Sequence, residues 1–269
     1  MVNLKTQIIA PKIKPKRILN SIRSGKIDYR EVLGLPSKED GSNLSVLFIG
    51  TGLPTHKEFK NMSDFENFTD DTTVFDDVFN TVTLHAGILA ADGDSIKGIL
   101  PKAKFACARI TDDKGEGVTS SLIASLIWAA VKGFDIAVIT IPIVDNLPTL
   151  HVVAKMAYDN NVCVFANCSK TDNVDLGNYF PKIGCVDYEL SDEFSIQKKT
   201  KKLLVSLEKT ELFSTNKQNQ YAVVPNQVSS LSIAAGLAGI AIQKLKEENK
   251  KYTPSDVYSE MTKLFKAKK

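Results

Sequence analysis

Tryptophan occurs once, histidine three times and cysteine four times in the 269 residues. The histidines (His56, His85, His151) form no HxxxH pair and no two cysteines have zinc-ligand spacing, so no metal site is expected. Cys107, Cys163, Cys168 and Cys185 are scattered, three of them inside apolar runs, and read as reduced core thiols, not as a disulfide scaffold. No run approaches the ~18 apolar residues of a membrane span, and residues 1–30 lack the apolar stretch of a signal peptide. A dominant charge is missing too: 34 Lys+Arg against 31 Asp+Glu leave +3, too mild to imply nucleic acid. These absences predict a cytoplasmic protein with no cofactor, no nucleic-acid partner and no membrane partner. With 43% apolar and 24% charged residues, disorder is excluded and a full core expected.

The charge that is present is uneven. Residues 1–30 hold eight Lys/Arg and one Asp, and residues 58–77 hold seven acids and one Lys. Blocks of this kind read as solvated faces. The acids Asp64, Glu66, Asp70, Asp71, Asp76 and Asp77 follow no calcium-loop spacing and are taken as one such face.

Strands and helices alternate along the chain. Leu44–Ile49 is a continuous apolar run ending in Gly50-Thr51-Gly52, the pattern of a buried strand entering a tight turn. Thr81–Ala91 has helical spacing, Ala103–Ile110 reads as a strand and Gly115-Glu116-Gly117 as a turn. Thr119-Ser120 precede a helix with Leu122, Ile123, Leu126, Ile127 and Ala130 on one face, stopped by Gly133. Strand Asp135–Val144, helix Pro148–Asn160 and strand Val162–Ala166 follow. Residues 170–222 are expected to mix strands and loops. Ser229–Leu245 is a small-residue helix, and Thr253-Pro254-Ser255-Asp256 opens the last one. Uniformly apolar strands alternating with helices predict one α/β domain over 1–269, with its core in 44–265 and a basic segment at 1–30. Its sheet should be mainly parallel and flanked by helices in three layers.

Several segments, in order, resemble the subtilisin-like serine proteases (subtilases). Val46–Leu53 resembles that family's Val-x-Val-Ile-Asp-Thr-Gly-Ile, and His56 with Phe59 its His-Pro-x-Leu. Thr81–Ala91 resembles His-Gly-Thr-His-Val-Ala-Gly-x-x-Ala-Ala, and Gly98–Phe105 its Gly-Val-Ala-Pro-x-Ala-x-Leu. Ile127-Trp128-Ala129, Gly133–Ala137, Tyr179–Asp187 and Ile233–Gly236 continue the series. The resemblance implies a subtilisin-like fold. It also shows where this chain departs from the family: the Asp position is Gly50, the His position Thr81 and the nucleophile position Val228, or Leu231 in a shifted register. The oxyanion position falls at Lys170, with Asn167 three residues earlier. Losing any triad member costs about 10⁴-fold or more in turnover. Pro142, in the strand that would pair with substrate, has no N–H to offer an added strand.

The expectation is therefore a catalytically inactive pseudoprotease that binds a protein partner or self-associates. Two alternatives stand beside it. One is a hydrolase with a re-sited group, using Ser229 or Ser230 with His85, or Cys168. The other is an unrelated α/β ligand-binding protein, for which Gly50, Thr81 and Val228 would lie far apart. His85 reads more simply as a packed helix histidine, His56 and His151 as surface or helix residues, and Ser229, Ser230 and Ser232 as lining a helix start.

Overall fold

The structure is a computed structural model that describes residues 7–9, 18–19, 27–35, 38–70, 75–143, 148–167, 183–191, 195–199, 202–208 and 212–264. In chain order, three short strands come first, β1 (Gln7–Ile9), β2 (Ile18–Leu19) and β3 (Ile27–Asp28), with the single turn α1 (Tyr29–Val32). Then follow β4 (Ser45–Gly50), β5 (Met62–Asn67), α2 (Thr81–Ala90), β6 (Ile96–Lys97), β7 (Lys104–Arg109), β8 (Glu116–Val118), α3 (Thr119–Lys132) and β9 (Ile136–Ile139). The second half holds α4 (Pro148–Asp159), β10 (Cys163–Asn167), β11 (Ile183–Ser191), β12 (Ser195–Lys199), β13 (Lys202–Glu208), β14 (Phe213–Asn216) and β15 (Gln220–Val223). Two helices, α5 (Asn226–Glu247) and α6 (Pro254–Lys263), follow β15.

Eight strands form the central sheet in the order β12-β13-β11-β10-β9-β4-β7-β5, and all pairs but β12–β13 are parallel. Alternation along each strand divides the core in two. Val46, Phe48, Phe105, Cys107, Ile136, Val138, Cys163 and Phe165 face the layer of α2 and α5. Leu47, Ile49, Ala106, Ala108, Ala137, Ile139, Val164 and Ala166 face α3 and α4. The expected three-layer α/β architecture is what the residues build. Helix α5 is the one helix among the described residues long and apolar enough to cross a membrane, and it is buried in this core.

The helix ends follow local chemistry. Gly133 closes α3 in the left-handed region, its N–H reaching Ala129 O. Thr253 and Asp256 make a reciprocal capping box on α6, with Pro254 at its first position. Several elements differ from expectation. Strand β9 stops at Ile139, and Val144 lies outside the described residues. Thr119 and Ser120 are inside α3, whose N-cap is Val118 with no side-chain bond. Glu116–Val118 is a strand, not only a turn, because Gln7–Ile9 pairs with it antiparallel, Ile8 opposite Gly117. Strand β5 lies inside the acid-rich block, so that block is not one solvated face. Asp64 is exposed along the sheet edge, whereas Glu58 and Asp77 are buried.

Candidate functional site

The chain enters the sheet at β4, builds β5 and β7 on one side and then β9, β10 and β11 on the other. The order thus reverses between β4 and β9, and in open α/β sheets the crevice beyond the strand ends at such a reversal is the customary ligand site. Gly50 and Thr51 at the end of β4 and Thr140 just after β9 occupy this place.

Side chains fill it. A Cβ on Gly50 would come within 2.1 Å of Thr140 Oγ1, 2.8 Å of Val82 Cγ2 and 3.2 Å of Thr81 Oγ1. Gly50 is thus a glycine of close approach, and residue 50 has no space for a side chain while Thr140 keeps its position. Gly52 has φ +148°, and a Cβ there would meet Asp76 O at 2.5 Å, because this turn lies directly on the backbone of Phe75 and Asp76. Leu53 N donates to Phe75 O at 2.7 Å and Asp77 N to Leu53 O at 2.9 Å, which locks the two segments together.

A run of hydroxyls crosses the crevice. Asp77 Oδ1 is bonded to Thr51 Oγ1, which lies 2.7 Å from Thr81 Oγ1. Thr81 Oγ1 is 3.0 Å from Thr140 Oγ1, and Thr140 Oγ1 is 3.2 Å from Ile49 O. All four side chains are buried. The other oxygen of Asp77 accepts from Thr83 N at 2.6 Å and Thr83 Oγ1 at 2.8 Å. Asp77 thereby closes the start of α2, whose own N-cap Asn80 is left-handed (φ 64°) and makes no side-chain cap. Asn80 instead ties α2 to the β14–β15 hairpin, bonding Asn216 and accepting from Lys217 N at 3.1 Å. Burial pushes the Asp77 carboxyl above the usual range, against the pull of the bonds from Thr51, Thr83 and Thr81.

The residues that the family resemblance assigned to a triad meet in part at this corner. Gly50 and Thr81 are neighbours across it. Val228, buried, begins the first full turn of α5. One helical turn beyond Thr81 and Val228, His85 Nδ1 and Ser232 Oγ are 2.9 Å apart. Ser232 Oγ also lies 3.3 Å from His85 O. Both bonds are made when the ring carries its proton on Nδ1, donating to Ser232, and Ser232 donates to the carbonyl. This tautomer is assigned from the hydrogen bonds, and it leaves Nδ1 unable to take a serine proton. His85 Nε2 is buried without a partner among the described residues, and burial pulls the ring pKa down to about 3.

Among the described residues, neither Ser229 nor Ser230 forms a dyad with His85. His85 meets Ser232, whereas Ser229 Oγ bonds Pro225 O at 3.4 Å and Ser230 Oγ bonds Gln227 O at 3.1 Å, each within its own helical turn. Cys168 and Lys170 lie outside the described residues. Cys107 and Cys163 are free and buried, with thiols pushed up by burial, but Cys185 is disulfide-bonded, which corrects its reading as a reduced thiol. The partner of that bond is outside the described residues.

A second buried polar centre was absent from the sequence reading. Glu58 Oε1 accepts from Tyr221 OH at 2.5 Å, and its Oε2 from Ser95 N at 3.1 Å and Ile96 N at 3.2 Å. His56, taken as a surface residue, is buried beside it. Its Nδ1 accepts from Glu58 N at 3.2 Å, so Nε2 carries the proton and donates to Gln220 O at 3.0 Å. Burial opposes the Glu58 charge, but the bonds from Tyr221, Ile96 and Ser95 hold its carboxyl below the usual range. The Tyr221 hydroxyl is pushed up to about 12 by burial and by Glu58. Asp77 stands three residues ahead of the N-cap Asn80, so no capping signal marked it in the sequence. Nothing local announced Glu58, whose partners Ser95, Ile96 and Tyr221 are far away in sequence.

Two cavities open nearby. One of about 600 Å³ adjoins Asp77, lined by His56, Lys57, Asp76, Thr83 and Lys217 among others. One of about 700 Å³ lies beside β8, lined by Phe68, Asp70, Asp112, Glu116 and Ser120 among others. Among the described residues no group of three or more His, Cys, Asp or Glu side chains is placed to hold a metal ion.

No family model matches the chain. Over 142 residues it is 25% identical to the minor extracellular protease Epr of Bacillus subtilis (strain 168). That match covers 52% of this chain and 22% of the relative, so the chain spans well under two thirds of the relative's length. The chain is thus distantly similar, over half its length, to a bacterial extracellular protease.

Proposed function

We propose that this chain is a subtilisin-like domain that does not hydrolyse peptides and acts as a protein-binding module. The observation that carries the reading is the absence of room at Gly50, where Thr140 Oγ1 would stand 2.1 Å from any Cβ. An Asp is needed there to orient a histidine. With Thr81 in the hydroxyl chain and Val228 buried, none of the described residues at the corner supplies the histidine or the serine of a triad. Ser232 and His85 do not replace them. Their pairing is internal to two packed helices, and a ring with a pKa near 3 is a weak base.

The binding half of the proposal draws support from β8. This three-residue strand stands outside the central sheet and takes up an extended segment, Gln7–Ile9, through antiparallel pairing. Thr111 and Asp112 bond the other side of β8, so a partner that offers an extended segment would pair there in place of Gln7–Ile9. Helix α5 and the strands beneath it then serve as scaffold, because fold and activity are separable.

Intact-mass spectrometry after treatment with a fluorophosphonate, with an active serine protease labelled in parallel, tests the catalytic half. No adduct on this chain is expected. A stoichiometric adduct on Ser229, Ser230 or Ser232 would overturn the reading. For the binding half, a library of extended peptides is screened against the full chain by hydrogen exchange. Protection gained at Glu116–Val118 is the expected response, and its absence with every peptide counts against β8 as the acceptor.

A further inference from the structure

We propose that Asp77 is protonated in the folded protein and is the fourth proton donor of a one-way hydrogen-bond chain, Asp77–Thr51–Thr81–Thr140–Ile49 carbonyl. The protons of these groups number the same whether or not the chain hydrolyses anything. Four links join these groups. The three threonines bring three hydroxyl protons. Ile49 O only accepts, so the proton in the last link belongs to Thr140. Thr140 must then accept from Thr81, and Thr81 from Thr51. Thr51 has no proton left for Asp77, and the first link is complete only when Asp77 Oδ1 carries one. The other oxygen keeps its carbonyl role and accepts from Thr83 N and Thr83 Oγ1.

An ionised Asp77 would reverse every hydroxyl in the run, leaving Ile49 O only its bond from Thr140 N at 2.9 Å, with Thr140 Oγ1 3.2 Å away and no proton between them. It would also place in the core a charge held by hydrogen bonds alone, with no counter-ion. The surroundings offer that charge no cation. The Cys107 thiol on β7 feels Asp77, and across the adjoining cavity stand His56, Lys57, Asp76 and Lys217. Among the described residues none of the cations pairs with Asp77. The upward push of burial on the Asp77 carboxyl agrees in direction.

The linkage has a definite sign. A carboxyl whose folded pKa is raised stabilises the fold fully below its unfolded value, about 3.9, and loses that contribution as pH rises through the folded value. Thermal unfolding of the full chain is followed from acid to mildly alkaline pH for the wild type, Asp77→Asn and Asp77→Ala. Asparagine donates to Thr51 through Nδ2 and accepts from Thr83 through Oδ1, so it reproduces the protonated acid. The Asn variant is expected to match the wild type at low pH and to gain Tm relative to it as pH rises, while the Ala variant is less stable throughout. An Asn variant that loses Tm relative to the wild type as pH rises would overturn the proposal, since the charge would then be the stabilising form. Infrared spectroscopy of the wild type in heavy water at pH 8 gives a second reading that needs no variant. The carbonyl stretch of a protonated carboxylic acid is expected there, and its absence would equally overturn the assignment.

Discussion

Two buried polar centres lie close together in sequence and treat their carboxyls in opposite ways. Glu58 and Asp77 are both removed from solvent, and each makes at least three hydrogen bonds. Glu58 is held below the usual carboxyl range and Asp77 above it. The count of bonds does not separate them; what the donors are attached to does. Two backbone N–H groups and a tyrosine hydroxyl point their protons at Glu58. Thr51 belongs to a hydroxyl run that ends on a carbonyl, so its proton is claimed elsewhere. Glu58 thus receives donors on both oxygens, whereas Asp77 receives Thr83 on one oxygen and, in the proposed arrangement, donates from the other, while its desolvation outweighs the bonds it accepts.

Breaking the hydroxyl corner sterically has the largest expected effect. Gly50→Asp must displace Thr140 Oγ1 and Val82 Cγ2 and adds a second carboxylate to a buried place. A loss of about 4 kcal/mol in urea unfolding is expected. Because Thr140 makes the closest contact, Gly50→Ala combined with Thr140→Ala should lose less than the two single changes together, with a coupling of about 1 kcal/mol or more. Strict additivity would mean that the glycine is not needed for close approach.

The Glu58 centre breaks differently. Glu58→Ala leaves the N–H groups of Ser95 and Ile96 and the Tyr221 hydroxyl facing a void, and a loss of about 3 kcal/mol is expected by the same measurement. Asp77→Asn, by contrast, leaves every link occupied. If both substitutions cost the same, the distinction between the centres fails.

A change of pH sharpens the contrast without removing any atom. The folded pKa of Glu58 lies below its unfolded value, so its contribution is present above about 4.5 and disappears as pH falls through the folded value. Glu58→Gln should therefore flatten the acid limb of the stability curve and leave the alkaline limb as it was. Asp77 acts on the opposite limb. A curve whose acid limb is identical in wild type and Glu58→Gln would remove the charge assignment at Glu58.

The layers and the crevice were legible in the sequence because both rest on local patterns. Val46–Ile49 ahead of Gly50-Thr51-Gly52 marks a buried strand and its exit, and the small residues of Thr81–Ala90 mark a helix that packs closely. That Gly50 lies beside Thr81 was expected only from the family resemblance, since the contact is made by packing and not by either segment's own pattern. What stayed hidden depends on distant partners. Glu58, Asp64 and Asp77 look alike in a run of acids, yet β7 turns the middle of that run into a sheet edge while Tyr221 and Thr51 draw the other two inside. His56 reads as a surface residue until Gln220 and Tyr221 cover it. The disulfide at Cys185 had no spacing to announce it.

The smallest change cuts the hydroxyl run at its centre. Thr81→Val keeps the volume and the branched shape but removes the link between Thr51 and Thr140, at a cost of about 1 kcal/mol. Its effect on charge is the more telling result. With no acceptor at residue 81, the Thr51 proton has only Asp77 left to bond. The carboxyl then gains a donor that terminates on it, as Glu58 has from Tyr221, and should ionise more readily. The loss of stability attributed to Asp77 begins near the unfolded carboxyl value in both proteins, so in Thr81→Val it should level off at lower pH and be smaller in total than in the wild type, read from Tm against pH. A levelling-off that is unmoved or raised would mean that the run of threonines does not govern the Asp77 proton. The opposite behaviour of the two carboxyls would then be a matter of burial depth alone.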